Sequence, residues 1–211
     1  MNKLFLDIET LPANGDQMPI IKDLFEEYKK KNGKNKIPNQ VRDDNTSFDS
    51  YFRSTSFSGE FGRILCIGYA INDQETKCLV GDEKKMLEDF WQIAKDADQF
   101  IGHNVMDFDL RFIYKRSIIS GVKPSRDLSF ARYRSDPIFD TMKEWEKWGA
   151  QGVSLHKLAL ALDIESSKSD GIDGSKVYDY FLLGKVDDIY KYCKRDVEVT
   201  RKIYNRMKFN L

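Results

Sequence analysis

The chain has 211 residues, with Lys plus Arg equal to Asp plus Glu at 34 each, so its zero net charge argues against holding duplex nucleic acid by overall positive charge. Its length fits one large domain or two small ones, and 41% hydrophobic with 13% aromatic residues is the composition of a folded protein, not of a disordered tail. Cys66, Cys78 and Cys193 form no C-x-x-C pair, which suggests neither a disulfide framework nor a zinc knuckle, and they read as small buried residues. Two histidines in all nearly exclude a His-rich metal site. The N-terminus shows no basic region followed by a long apolar stretch, and no run is long enough to cross a membrane, so a cytoplasmic protein is expected.

The first predicted element is the strand within KLFLDIETLP, where Phe5, Asp7 and Glu9 point one way and Leu4, Leu6 and Ile8 the other. Residues 12–60 then turn polar, with helical potential limited to about Ile20–Lys31, and read as one insertion lying over the surface. Such a segment suits a mobile cover whose Phe48, Tyr51, Phe52 and Phe57 stack on bases. The apolar run ILCIGYAI (64–71) predicts a central strand, and TKCLVG a shorter one, giving with the first strand an antiparallel meander of three. Asp82 starts a helix with Met86, Leu87, Phe90, Trp91, Ile93 and Ala94 on one side. QFIGHN predicts a fourth strand, and a helix over Asp109–Ile119 follows, ended by Gly121 and Pro124. DPIFDT gives a fifth strand, before helices over about Ser154–Leu162, Ser175–Leu183 and Asp187–Lys208. This order indicates one α/β domain with a mixed sheet.

Two carboxylates on one face at a strand tip repel, and are easiest to explain if something positive sits between them. The last helix repeats the puzzle. On a wheel of 3.6 residues per turn, Ile189, Tyr192, Cys193, Asp196, Val199, Thr200, Ile203 and Met207 share the side that faces the protein. A buried, unpaired Asp196 costs several kcal/mol or has its pKa forced upward, so partners are required; Tyr192 lies one turn before it. A third acidic feature is GHNVMDFDL, where Asn104 ends a strand and Asp109 opens a helix that Asp107 or Asp109 would also cap. Each feature alone is commonly structural.

Together, D-x-E at Asp7 and Glu9, N-x-x-x-F-D at Asn104, Phe108 and Asp109, and Y-x-x-x-D at Tyr192 and Asp196 resemble the motifs of the Asp-Glu-Asp-Asp 3′–5′ exonucleases of the ribonuclease H-like superfamily. The likeness is to stand-alone proteins related to the proofreading domain of family B DNA polymerases. It runs from about residue 3 to 205 and is weakest over 12–60. Lys191 stands where the sister branch has His, which places the chain nearer the tyrosine branch.

The resemblance implies a ribonuclease H-like sheet, an antiparallel meander plus parallel strands flanked by helices, over residues 1–211. It implies two divalent cations, Mg²⁺ or Mn²⁺ in keeping with hard oxygen ligands, held by Asp7, Glu9, Asp109 and Asp196. Asp7 would bridge both ions, Glu9 and Asp196 would complete the first, Asp109 would support the second, and Tyr192 would orient the attacking water. The expected reaction releases nucleoside monophosphates from a free 3′ end of DNA or RNA, with single strands favoured and no membrane involved. The rivals are a catalytically silent nucleic-acid-binding module and a structure-specific endonuclease.

Around this set, Ile8, His103, Asn104 and Phe108 are candidates for substrate contact, although a capping Asn104 and a core Phe108 are the structural alternatives. Asp107 reads as a surface acid. Asp140 reads as a helix cap, with a metal-ligand role in reserve. Gly171 and Gly174 either admit substrate close to the backbone or shape a turn before a helix capped by Ser175. Lys29, Lys30, Lys31, Lys34 and Lys36 form a solvated charge run that would also serve to guide a phosphate backbone.

Overall fold

A computed structural model describes residues 1–34 and 46–209. Five strands form one sheet: β1 (Lys3–Leu11), β2 (Arg63–Ile71), β3 (Lys77–Val80), β4 (Gln99–Gly102) and β5 (Ile138–Asp140). The spatial order is β3-β2-β1-β4-β5. β2 pairs antiparallel with both β1 and β3, while β4 pairs parallel with β1 and β5 parallel with β4. The helices are α1 (Met18–Lys34), α2 (Phe48–Ser54), α3 (Glu83–Ala94), α4 (Asp109–Ile119), α5 (Thr141–Trp145), α6 (Leu155–Ala161), α7 (Val177–Leu182) and α8 (Val186–Met207). The expected mixed α/β sheet, meander plus parallel strands, is what is observed.

Strand alternation divides the core as the sequence indicates. Leu4, Leu6 and Ile8 pack against Met86, Leu87, Phe90 and Trp91 of α3 and Leu110, Phe112 and Ile113 of α4. Phe5 faces the other way, with Ala70, Ile101, Phe139, Val197 and Tyr204. Tyr204 of α8 meets Phe5 and Phe139 edge-on, at centroid distances of 5.5 and 4.9 Å, so α8 covers the face that carries Asp7 and Glu9. The buried side of α8 holds Ile189, Tyr192, Cys193, Asp196, Val199, Thr200 and Ile203 of the stripe read from the sequence, together with Val197 and Tyr204, which that stripe lacked, while its Met207 is only partly buried.

On the opposite layer, Arg116 of α4 forms a two-pronged pair with Glu83 of α3, at 3.0 and 2.7 Å, and Glu83 also accepts from the Ile64 N–H at 2.7 Å. One carboxylate thereby ties two helices to β2.

The described residues of the 12–60 segment, 12–34 and 46–60, pack against the fold, unlike the loosely attached cover expected from their polarity. Ile21, Ala13 and Phe52 bury against one another, with Phe48 and Tyr51 packed on them. Three side-chain hydrogen bonds fasten the segment: Thr10 Oγ1–H of β1 to the Ser56 carbonyl, the Ala13 N–H to Thr55 Oγ1 between its two ends, and Arg63 Nε–H of β2 to the Pro12 carbonyl. Phe48, Tyr51 and Phe52 therefore spend their rings on packing; Phe57, 69% exposed, is the aromatic left facing outward. In the basic run, Lys29 pairs with Glu26 and lies 4.4 Å from the Phe25 ring centroid. Lys36 lies outside the described residues, as does the Lys34 side chain.

Two helix starts differ from expectation. Asp173, not Ser175, accepts the N–H at the turn leading into α7, because it stands in the extended capping position and its carboxylate reaches two residues on to the Ser175 N–H at 3.0 Å. Helix α2 forms where the polar composition gives no helical signal; Ser47 caps it by accepting from the Ser50 N–H.

The approach of α8 to the sheet depends on Gly68. A β-carbon there would fall 2.8 Å from Cys193 Sγ, 3.1 Å from Val197 Cγ2 and 3.2 Å from the Cys193 carbonyl oxygen. The last contact is backbone, which no rotamer change relieves. Gly68→Ala is expected to cost about 1–3 kcal/mol, the usual range for overpacking. Gly15→Ala, which meets nothing within 4 Å, serves as the control in chemical denaturation. Equal stability of the two variants would contradict the close-approach account.

Candidate active site

Three elements bring their acids to one cleft of about 510 Å³. Asp7 and Glu9 come from β1, Asp109 from the first turn of α4, and Asp196 with Tyr192 from the middle of α8; all five line the cleft. Asp109 is fixed by its Oδ1, which accepts the Ile8 N–H at 3.0 Å, so the start of α4 is pinned to the strand that carries the first two acids. Cys193 Sγ lies 3.5 Å from both the main-chain oxygen and Oδ2 of Asp7, binding α8 to the same point.

Electrostatically the cleft is one-sided. Asp7, Glu9, Asp49, Asp109 and Asp196 face a single guanidinium, Arg53, among the described lining residues. That guanidinium already serves two carboxylates, Asp49 at 2.8 Å and Asp179 at 2.7 Å. Burial, and then the charges of Asp196 and Asp109, hold the Asp7 and Glu9 carboxyls well above the usual range. Burial pushes Asp109 up to about 7 even though the Ile8 N–H favours its charged form. Asp196 is raised by burial, against the opposing pull of the Ser167 and Tyr192 hydroxyls. Its Oδ1 is buried and has no hydrogen-bond partner among the described residues. The Tyr192 hydroxyl is also raised, by burial and by Asp196, and stays protonated at neutral pH.

The other sequence candidates sort by geometry. His103 borders the cleft, but both ring nitrogens are engaged, Nδ1 with Thr141 Oγ1 at 2.9 Å and Nε2 with the Val153 carbonyl at 2.7 Å. Phe108 lines the cleft while packing on Phe112 at 5.6 Å. The cleft reaches Ile8, whose side chain is buried in the core. Asn104 does not line it. It adopts φ of 61°, gives its N–H to Asp140 Oδ1 and accepts from the Phe108 N–H, so it shapes the turn that delivers Asp109. Asp140 is no reserve ligand: its carboxylate accepts from the N–H groups of Asn104, Met106, Met142 and Lys143, which uses its oxygens away from the cleft. Asp107 sits on the surface with Lys143 at 2.7 Å. Gly174 and Ser175 border the cleft, whereas Gly171, at φ of 78°, makes a left-handed turn outside it. Arg53, Phe57 and Tyr178 border it too. Sequence reading missed Arg53, which reaches the cleft from α2 in the 12–60 insertion, and Tyr178 of α7, since nothing local marks a residue that meets a site only through the fold.

The fold is thus a mixed α/β sheet with acids from three elements grouped at one cleft. Residues 69–210 match the family described as "predicted 3′-5′ exonuclease related to the exonuclease domain of PolB", and the chain belongs to that family. The matched stretch includes Asp109, Tyr192 and Asp196 and begins after Asp7 and Glu9. Among curated proteins the chain is similar to a DNA polymerase of Archaeoglobus fulgidus, at 25% identity over 149 residues, covering 63% of this chain and 18% of that protein. Among solved structures it is similar to the family B DNA polymerase of Pyrobaculum calidifontis. That match has a TM-score of 0.66 at 15% identity and covers 99% of this chain and 24% of the other, so it speaks for the fold. The chain thus spans less than a quarter of the length of either polymerase. No helix among the described residues is long and apolar enough to cross a membrane.

The raised pKa of Asp109 has a stability consequence with a definite sign. A carboxyl whose native pKa exceeds its unfolded one stabilises the fold at low pH, and that contribution is lost as pH climbs through the native value. For Asp109 the window runs from the ordinary Asp range near 3.8 to about 7. Asp109→Asn keeps an oxygen for the Ile8 N–H and abolishes the titration. In chelator, urea denaturation should find this variant more stable than wild type above about pH 7, by on the order of 1 kcal/mol or more, with the gap closing toward about pH 4. A gap that does not change with pH would show that Asp109 titrates normally.

Proposed function

We propose that this chain is a metal-dependent 3′–5′ exonuclease whose residues 1–211 act as one unit, with Asp7, Glu9, Asp109, Asp196 and Tyr192 as its working groups. The observation that carries this reading is the convergence of four acids from three elements, one of them with a buried oxygen left unpartnered among the described residues. Clustered carboxylates facing one already-paired arginine repel a phosphate backbone unless cations intervene. An all-oxygen donor set of this kind suits Mg²⁺ or Mn²⁺, and Asp7, Glu9, Asp109 and Asp196 would hold it. When bound, such ions supply charge neutralisation of the phosphodiester and a more acidic water.

The chain's own residues do the rest. The Tyr192 phenol, protonated and buried beside Asp196, acts as a positioned hydrogen-bond donor, not as a base. Phe57, exposed at the cleft, and Phe108 offer ring faces for terminal bases. Arg53, which rests over the Tyr178 ring at 5.1 Å and gives Nε to Asp49 and Nη1 to Asp179, would turn only its Nη2 toward a phosphate. A cleft of about 510 Å³ has the volume of a site for a small ligand-sized group such as a terminal nucleotide, and a single strand with a free 3′ end is the substrate we favour. Similarity to DNA polymerases favours DNA over RNA.

The test is digestion of 3′-labelled and 5′-labelled DNA and RNA oligonucleotides with Mg²⁺ or Mn²⁺, beside 3′-blocked and circular substrates. Mononucleotides should leave the free 3′ end of single-stranded DNA, and chelator should stop the reaction. Asp7→Asn and Asp196→Asn should lose nearly all activity while remaining folded. Tyr192→Phe should lose about 10–1,000-fold, the span of a positioned hydrogen bond or proton-handling group, with cation affinity unchanged. Cleavage of circles would point to an endonuclease, and tight binding without turnover to a silent module.

A further inference from the structure

The three cysteines, which the sequence offers as unrelated packing residues, meet in space. Cys66 lies on β2, Cys78 on β3 and Cys193 on α8, and their sulfur atoms all lie within 4.8 Å of one another. Sheet register explains how. Cys66 stands opposite Glu9 on β1, and Cys78 opposite Gly68, two residues along β2 from Cys66. The missing β-carbon at Gly68 opens a space between them, and Cys193 Sγ descends into it from α8. All three thiols are free, with Cys66 and Cys193 fully buried and Cys78 half-buried at the outer strand of the sheet.

We propose that Cys66, Cys78 and Cys193 form a cation site of their own, selective for thiophilic ions such as Zn²⁺ or Cd²⁺ and distinct from the oxygen-lined acids of the cleft. Soft thiolates prefer these ions, whereas carboxylates prefer Mg²⁺ or Mn²⁺, so two neighbouring sites in one fold take different metals. In a tetrahedral site with metal–sulfur bonds of about 2.3 Å, sulfur atoms lie roughly 3.8 Å apart, so closing the triad on an ion needs shifts on the order of 1 Å. Three thiols bind as thiolates and release three protons to solvent, and three protein ligands leave a fourth position for water. Cys78, being half-buried, is the way in. Cys193 also lies within 4.8 Å of ligand oxygens of both Asp7 and Glu9, so an ion held by the thiols sits beside the acid cluster.

Reduced, chelator-treated protein titrated with Co²⁺ tests this directly. The expected result is an intense thiolate-to-cobalt charge-transfer band with the visible bands of tetrahedral coordination, saturating at one ion per chain. Cys78→Ser changes a half-buried strand-edge residue and should weaken cobalt affinity, read from the titration of that band, by at least the ten- to hundredfold that losing even an outer-shell partner costs. In the unaltered protein, an equivalent of Cd²⁺ should slow alkylation of Cys78 by iodoacetamide, and Mg²⁺ should not. A weak, purely oxygen-type cobalt spectrum identical in Cys78→Ser would overturn the proposal, as would alkylation indifferent to Cd²⁺. None of these readouts passes through phosphodiester hydrolysis, so an inactive protein with a sulfur-ligated cobalt spectrum would sink the nuclease reading and leave the thiol site standing.

Discussion

Helix α8 lies on strands β1 and β2 at a distance that only a glycine permits, and most of what is particular to this molecule follows from that contact. With a side chain at residue 68, Cys193 and Val197 would be lifted from the sheet. Asp196 and Tyr192 ride on the same helix, so lifting it would carry them away from Asp7 and Glu9. Seated as it is, α8 presents Val197 and Tyr204 to the core beneath Phe5 and, at the residue next to Val197, places a carboxylate against two others. Hydrophobic burial thereby sets the distance at which like charges are held.

The result is a local electrostatic conflict inside a well-packed fold. Burial and mutual repulsion raise the pKa of Asp7, Glu9 and Asp109, and no ammonium or free guanidinium among the described lining residues relieves them. Asp140, a few residues from the same strand ends, shows the contrast. Burial raises its carboxyl too, yet four backbone N–H groups meet its oxygens and pull the other way, and it holds the turn and helix that frame the site. One buried acid is satisfied by protein; the others are left for something else. Strain of this sort, concentrated where the local rules of polar satisfaction fail, is the physical mark of a functional site.

Much of this is legible in the sequence, for a simple reason. Strand alternation by itself puts Asp7 and Glu9 on one face, and helical periodicity puts Tyr192 and Asp196 on the buried stripe of α8. Both are local signals with periods that the chain itself displays. What escapes is non-local. Helix α2 docks Phe48, Tyr51 and Phe52 into a small core of its own, a use of aromatics that composition does not separate from stacking on bases. The thiol cluster depends on register between β1, β2 and β3 and on Gly68, none of which a Cys spacing encodes. Asp173 displaces Ser175 as the cap through a choice between two nearby polar residues, a matter of one hydrogen bond.

The central claim is that the acids of the cleft are arranged for cations, and thermal denaturation with and without Mn²⁺ tests it most directly. A ligand that binds only the folded state raises stability by mass action, so Tm should climb with Mn²⁺ concentration in the unaltered protein. In Asp7→Asn the protein without metal should be at least as stable as wild type, because a repelling charge is gone, and the Mn²⁺-dependent rise should largely vanish. A Tm indifferent to Mn²⁺ in the unaltered protein, or one that rises equally in Asp7→Asn, would contradict the account.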